Sequence, residues 1–370
     1  MRIVQIVDTL DAGGMEAQLV ALMNRLDPEE FKFHVVCLRH PGIYAQRLRE
    51  GIRLTALNKT GGFQFGVVRQ VRKLFFGGCD LIHTHNWAPL VYASLASHGG
   101  LTSPILHGEH AQLNSLEVQP RRLLARRLLY RSCAAVHTVS EGQREDLLQQ
   151  GLSHRRLLAL ANGVDTSRFV PAEDRAALRE RLGLPAEALV LGIVARFGSY
   201  KRHAALLEAF EKIAAIHADA HLLIVGDGGP EKEAVTHQVQ KSFFASRMTM
   251  AGYQRDPVPW YQTMDALVVP SSNEGLSNAT LEAMACGVPV LSNDICGARE
   301  LLGANEGGWV RDMSTVSKLS AELTELLSLS PATLQTQGKA GCQRAARLFS
   351  WDGMARSYAQ IFRECARRRR

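Results

Sequence analysis

The chain has 370 residues, more than a single hydrophobic core holds comfortably, so two domains of ordinary size are expected. Hydrophobic residues at 46% and charged residues at 21% exclude disordered and collagen-like classes. A net charge of +7 points to an anionic partner, but Arg367 to Arg370 supply four of those charges, which leaves a mildly basic body and no case for nucleic acid.

The first residues run straight into a strand-like stretch, Ile3 to Val7, with Asp8 behind it, too short an apolar run for a signal peptide. No stretch of about 18 uninterrupted apolar residues follows, so a cytoplasmic protein with at most peripheral membrane contact is expected. Seven cysteines, Cys37, Cys79, Cys133, Cys286, Cys296, Cys342 and Cys365, are odd in number and form no Cys-x-x-Cys pair. They read as reduced thiols rather than as zinc or redox ligands.

In chain order, short apolar runs alternate with helix-patterned stretches: a strand over 3–7, a helix near 15–26, a strand over 33–38, a helix near 44–50 and a strand at 81–83. Further apolar runs at 104–106 and, past Pro171 and Pro185, at 188–194 open the same alternation again. The second series has strands at 222–225, 248–250, 266–269 and 288–291, each followed by turn residues. Continuous apolar runs of this length suit parallel strands buried on both faces, so two doubly wound α/β domains are predicted. The final stretch from Trp351 reads as a helix with Met354, Tyr358, Ile361 and Phe362 on one face.

The segment Glu274-Gly275-Leu276-Ser277-Asn278-Ala279-Thr280-Leu281-Glu282 follows the predicted strand at 266–269, and helix-stop chemistry follows at Gly287 and Pro289. A helix that starts near Ser277 at the carboxyl end of a parallel strand points backbone N–H groups at the crevice where open α/β sheets bind ligands. Glu274 stands ahead of that helix and Glu282 about one turn inside it, placed to bind hydroxyl groups.

This Glu-x7-Glu segment resembles the signature of the retaining family 4 (group 1) glycosyltransferases of GT-B fold. The resemblance implies two Rossmann-like doubly wound domains facing a central cleft: 1–168 for the acceptor, 169–350 for the nucleotide sugar, and 351–370 as a helix packing back on the first domain plus a basic tail. It extends along the chain. Gly192 to Lys201 is similar to the family's diphosphate-binding strand and loop, which implies Arg196 and Lys201 as phosphate ligands, with Leu276 and Ser277 at the helix start and Gly14 of a Gly-Gly loop beside them. Glu282 then takes the ribose and Glu274 the donor sugar. Asp11-Ala12-Gly13-Gly14 is not the G-x-G-x-x-G of a dinucleotide fold.

Two histidine clusters close predicted strands, His83-Thr84-His85-Asn86 and His107-Gly108-Glu109-His110. The resemblance implies one histidine beside the transferred sugar; His110 matches it best and His107 is the alternative. Gly13, His85 and Asn162 are expected to line the acceptor side. Four histidines and Glu109 could also be arranged as metal ligands, but the family needs no metal, so no cofactor is expected beyond the donor, a UDP-sugar or alternatively a GDP-sugar. Asn162-Gly163-Val164-Asp165 resembles the hinge between domains, and Gly226-Asp227-Gly228-Gly229 is either a strand-ending turn or a ligand loop.

Arg121 to Arg131 is basic and apolar together, which allows peripheral contact with an anionic membrane or an ordinary packed helix. The implied reaction is sugar transfer with retention to a glycan or lipid-linked acceptor in cell-surface polysaccharide biosynthesis of the lipopolysaccharide type. The alternatives are a sugar-nucleotide epimerase or other enzyme on the same fold, and a non-catalytic binding protein.

Overall fold

The computed structural model describes residues 1–75 and 78–367, so Arg368 to Arg370 of the expected basic tail lie outside the described residues. The chain divides into two compact units, one of Met1–Gly163 with the segment from Trp351, the other of Val164–Ser350. The first unit thus ends at Gly163 rather than at residue 168.

The first unit runs β1 (Arg2–Val7), α1 (Gly14–Arg25), β2 (Lys32–Cys37), a 3-10 turn (Ile43–Arg47), β3 (Arg53–Ala56), α2 (Phe65–Phe75), β4 (Leu81–His85), α3 (Trp87–Ala96), β5 (Ile105–Gly108), α4 (Pro120–Arg131), β6 (Ala135–Thr138), α5 (Glu141–Gln149) and β7 (Leu157–Ala159). The strands pair in parallel in the order β3-β2-β1-β4-β5-β6-β7. The helix expected near 44–50 is instead the single 3-10 turn. Tyr44, Ala45 and Leu48 pack on the core, and the Arg49 guanidinium donates to the carbonyls of Met23 and Leu26, both at 3.2 Å. Those tertiary contacts draw the chain out of helical geometry after one turn.

The second unit runs α6 (Arg175–Arg181), β8 (Leu189–Val194), a 3-10 turn (Ser199–Lys201), α7 (His203–Ala214), β9 (Ala220–Val225), α8 (Lys232–Lys241), a 3-10 turn (Ala245–Arg247), β10 (Met248–Gly252), α9 (Val258–Gln262), β11 (Ala266–Val269), α10 (Asn278–Ala285), β12 (Val290–Asn293), α11 (Ala298–Leu302), β13 (Gly308–Arg311), α12 (Val316–Ser328) and α13 (Pro331–Leu348). Its sheet is also parallel, in the order β10-β9-β8-β11-β12-β13.

The last helix, α14 (Trp351–Arg367), packs on α1, β4 and β5 of the first unit. Phe362 is fully buried, with its ring 6.1 Å from that of Phe31 and 6.3 Å from that of Phe33. Burying one such side chain contributes about 1.5–3 kcal/mol. Arg363 adds a two-pronged pair to Glu30, with both N–O distances 2.6 Å.

Helices cover both faces of the first sheet: α1 and α14 on one, α2 to α5 on the other. This explains why its strands read as unbroken apolar runs. In each unit the strand order turns back on itself between two neighbours, β1 and β4 in the first, β8 and β11 in the second. Outside the carboxyl ends of such a pair, the loops run to opposite faces and leave a crevice for ligand.

Candidate functional site

In the second unit, β8 feeds the loop 195–198 and the turn Ser199–Lys201, while β11 feeds the loop 270–277 and then α10. These loops flank the switch point between adjacent strands. Lys201 Nζ forms an ion pair with Glu274 Oε1. Ser271 Oγ donates to the same oxygen at 3.0 Å. The Ser272 N–H donates to the Tyr200 carbonyl at 2.8 Å, which ties the two loops into one platform. Arg202 locks it from behind: it sits in left-handed backbone, φ 57°, and its guanidinium donates to the carbonyls of Pro270 at 3.1 Å, Met313 at 2.5 Å and Ser314 at 2.9 Å.

Arg196 stands exposed on this platform, and its guanidinium has no hydrogen bond or ion pair among the described residues. An exposed cation and a half-buried one beside a helix start suit a polyanion. Ser277 caps α10, its Oγ accepting from the Thr280 N–H at 3.3 Å, and Leu276 is buried against the core. Beneath the Arg196 loop lies the glycine run that follows β9. The Phe197 N–H donates to the Gly228 carbonyl at 2.8 Å, and the Glu231 N–H donates to the Phe197 carbonyl at 3.0 Å. A Cβ on Gly226 (φ 140°) would fall 2.0 Å from the Ala195 carbonyl oxygen, and one on Gly229 (φ 106°) would fall 2.4 Å from that of Phe197. These glycines let the two loops stack.

Glu282, on α10, accepts from the buried Tyr261 hydroxyl at 2.8 Å through Oε2. Burial raises its pKa to about 7, opposed by that hydrogen bond and by the Arg168 charge. Among the described residues Glu282 Oε1 and Glu274 Oε2 take no hydrogen bond. Each carboxylate thus commits one oxygen to the protein and leaves the other to accept from a ligand hydroxyl.

In the first unit the carboxyl ends of β4, β5 and β6 gather a nest of histidines. His85 Nε2 stands 2.9 Å from Gln5 Oε1, and His85 Nδ1 stands 2.9 Å from His110 Nε2. His83 Nε2 meets His137 Nε2 at 3.0 Å. Burial holds His83, His85 and His137 well below the usual histidine range and lowers His110 to about 4. The nest is therefore neutral at pH 7. Among the described residues His110 Nδ1 is buried without a hydrogen bond, and His110 lines a small cavity of about 10 Å³ with Met15, Gln18, Asn162 and Tyr358.

Beside the nest lies a charged cluster. Glu109 Oε1 accepts from Arg126 Nε at 2.9 Å, the Tyr130 hydroxyl at 2.7 Å and His107 Nε2 at 3.2 Å. His107 is thereby turned into this cluster, with Thr84 Oγ1 at 2.9 Å on its other nitrogen, so His110 faces the cavity and His107 does not. Among the described residues no group of three His, Cys, Asp or Glu side chains is arranged to hold a metal ion.

Two family models match the chain: "Glycosyltransferase Family 4" over residues 12–168 and "Glycosyl transferases group 1" over residues 174–344. Together they take in both crevices. The chain belongs to the group 1, family 4 glycosyltransferases.

This glycosyltransferase is 28% identical to a D-inositol 3-phosphate glycosyltransferase of Thermobispora bispora, over 97% of this chain and 92% of that protein. It is 34% identical to a GDP-mannose-dependent monoacylated alpha-(1-6)-phosphatidylinositol monomannoside mannosyltransferase of Corynebacterium glutamicum, over 56% of each. Its fold matches that of Anabaena HepE in complex with UDP, with TM-score 0.84 at 19% identity over 98% of this chain and 100% of that one. It also matches sucrose-phosphate synthase from Thermosynechococcus elongatus, with TM-score 0.82 at 24% identity over 98% of each. The fold is GT-B.

The structure of the glycosyltransferase places Arg196, Lys201, Glu274, Leu276 and Ser277 on the loops that follow β8 and β11 in the second unit, and Glu282 on α10. It gathers His85, His110 and Asn162 around one cavity of the first, with Gly13 and Gly14 at the start of α1 beside Met15. His85 is 3% exposed, and its two ring nitrogens meet Gln5 and His110. Sequence reasoning gave no such role to Ser271, Arg202, Gln5 or Arg126. Only Arg126 left a trace: it is four residues before Tyr130, the spacing of one helix face.

Proposed function

We propose that the enzyme transfers a sugar, with retention of anomeric configuration, from a nucleotide-diphosphate sugar to a glycan or lipid-linked acceptor in cell-surface polysaccharide synthesis. The observation that carries this reading is the second-unit crevice. It has Arg196 without a partner among the described residues, Lys201 poised on Glu274, and two glutamates that each keep an oxygen for hydroxyl groups. Arg196 and Lys201 take the diphosphate with the start of α10, Glu282 the ribose, and Glu274 a hydroxyl of the donor sugar.

The cations neutralise charge that grows on the leaving diphosphate, the task a metal ion performs elsewhere. No metal is needed in this scheme. The UDP complex of the fold neighbour favours a uridine donor, while the mannosyltransferase relative supports a GDP-sugar as the alternative. The first unit binds the acceptor. There the bare Nδ1 of His110 accepts a hydrogen bond from a sugar hydroxyl.

Titration calorimetry with UDP and GDP tests the reading. One of them binds the native protein and loses at least tenfold affinity in Lys201→Ala or Glu282→Ala; equal affinity in both variants refutes it. Incubating a sugar nucleotide without acceptor separates the epimerase alternative, which would yield a new sugar nucleotide.

A further inference from the structure

The helices α2, α3 and α4 lie side by side on one face of the first sheet, where Val67 and Val71 of α2, Leu90 and Ala93 of α3 and Tyr130 of α4 share a single core. The solvent-facing sides of α2 and α4 therefore look the same way. On α4, Arg126 and Tyr130 are buried, and Leu123 and Leu129 pack half-buried on the same core. The outward arc carries Leu124 and Leu128, each 56% exposed, flanked by Arg121 and Arg131. On α2 the outward side carries Phe65, 75% exposed, above Arg69 and Lys73.

Charge on this stretch is one-sided. Residues 57–131 contain nine lysines and arginines but three acids, Asp80, Glu109 and Glu117. Glu109 and Glu117 are both engaged by the buried Arg126. Neither α2 nor α4 contains an acidic residue. Acids return only on α5, with Glu141, Glu145 and Asp146, which bounds the basic field. The apolar residues reach the crevice end of the sheet: Phe63, 49% exposed, follows β3 and Leu116, 64% exposed, follows β5.

We infer that the outer face of α2 and α4 is a docking surface for a bilayer rich in anionic lipid. Leucine and phenylalanine side chains enter the acyl boundary while the flanking cations engage phosphate headgroups. A protein partner of acidic character would meet the cations but leave the exposed leucines between them without a match. A bilayer matches both. Among the described residues no helix is long and apolar enough to cross a membrane, so the contact is peripheral. The inference deepens the lipid-linked acceptor reading: docking by this face sets the carboxyl-end crevice of the first unit at the lipid surface, where such an acceptor resides.

Co-sedimentation with vesicles tests it, using phosphatidylcholine alone and phosphatidylcholine containing phosphatidylglycerol. The native protein binds the anionic vesicles, ignores the neutral ones and is released by salt. The triple variant Arg69→Glu, Lys73→Glu, Arg121→Glu loses about tenfold or more in partitioning. The pair Leu124→Ser, Leu128→Ser weakens binding independently and covers the case in which the charge variant fails to fold. Native protein that shows no preference for phosphatidylglycerol, or variants that bind like it, would overturn the inference. So would light scattering that shows the variants dissolving a dimer, which would make the face a contact between copies. UDP calorimetry runs in parallel: vesicle binding without nucleotide binding sinks the donor reading alone, and the converse sinks this one alone.

Discussion

The Nε2 of His110 stands 2.9 Å from the Nδ1 of His85, whose own Nε2 stands 2.9 Å from the side-chain oxygen of Gln5. An amide oxygen only accepts, so His85 donates from Nε2 and, being neutral, must accept at Nδ1. His110 then donates from Nε2 and keeps a bare lone pair on Nδ1 toward the cavity. One glutamine at the amino-terminal strand thus fixes the tautomer of the histidine expected at the sugar.

Two substitutions follow from that chain. His110→Ala should lower the transfer rate about a hundredfold, the lower range for a positioned proton-handling group. Gln5→Leu leaves His110 in place but frees its tautomer, and should lower the rate about tenfold while UDP affinity, proposed to reside in the second unit, stays put. Initial rates beside nucleotide calorimetry check both. A Gln5→Leu enzyme with native turnover would show that the tautomer does not matter.

The buried pair of Arg126 and Glu109 predicts a stability effect of opposite origin to an ordinary surface arginine. Arg126→Met leaves the Glu109 carboxylate buried without its countercharge and should cost about 3–5 kcal/mol in urea denaturation. Adding Glu109→Gln to that variant removes the stranded charge and should return part of the loss. A loss no larger than that of exposed Arg122→Met would contradict the buried geometry.

Acidification should loosen the first unit before pH 4. His83, His85, His110 and His137 are held neutral by burial, with folded pKa values below the ordinary 6.5 and His110 at about 4. Below 6.5 the unfolded chain binds more protons than the folded one, so stability falls as pH drops from 6.5 toward 4. Glu109 is held down to about 2 by its His107 and Arg126 partners against the cost of burial. Its contribution is intact above 4.5 and is lost below that. Tyr358 and Phe362 of α14 pack on His83 at 5.8 and 5.5 Å, so hydrogen exchange of α14 amides should accelerate first.

How much of this was legible in the sequence depends on the range of the interaction. The β11 run, the glycines and Ser277 with its cap are local features, and a neutral reading of 266–282 gives the strand, the helix start and the two glutamates. Gly226 and Gly229 read equally as turn or ligand loop, since what requires them is the backbone of Ala195 and Phe197 some thirty residues earlier. Tyr261 on Glu282, Gln5 on His85 and Arg202 on Pro270 join residues 21 to 80 positions apart. No local periodicity encodes such pairs. The basic helix α4 illustrates the same limit: composition shows its charge, but only packing shows that Arg126, alone among its arginines, is buried.

Gly226→Ala tests the loop stack directly. The added Cβ meets the Ala195 carbonyl in a backbone conformation that side chains avoid, and the main chain must move. About 1–3 kcal/mol of stability should go. Because the displaced loop carries Arg196, UDP affinity should fall as well. An alanine variant with native affinity would mean that Arg196 does not bind the diphosphate from this loop position.

The last expectation concerns a proton. Burial raises Glu282 to about 7, against the ordinary 4.5, so near neutral pH a substantial fraction of the unliganded protein carries it protonated. Its sign is the reverse of the histidine effect: the folded chain binds the extra proton, so this residue alone makes stability fall as pH rises from 4.5 to 7. Ribose hydroxyls donated to Oε1 favour the carboxylate, and nucleotide binding should therefore expel a fraction of a proton and tighten between pH 6 and 8. Calorimetry in buffers of different ionisation enthalpy reads that fraction directly. In Glu282→Gln the proton release should vanish and the pH dependence flatten, whereas release that persists in this variant would locate the titrating group elsewhere.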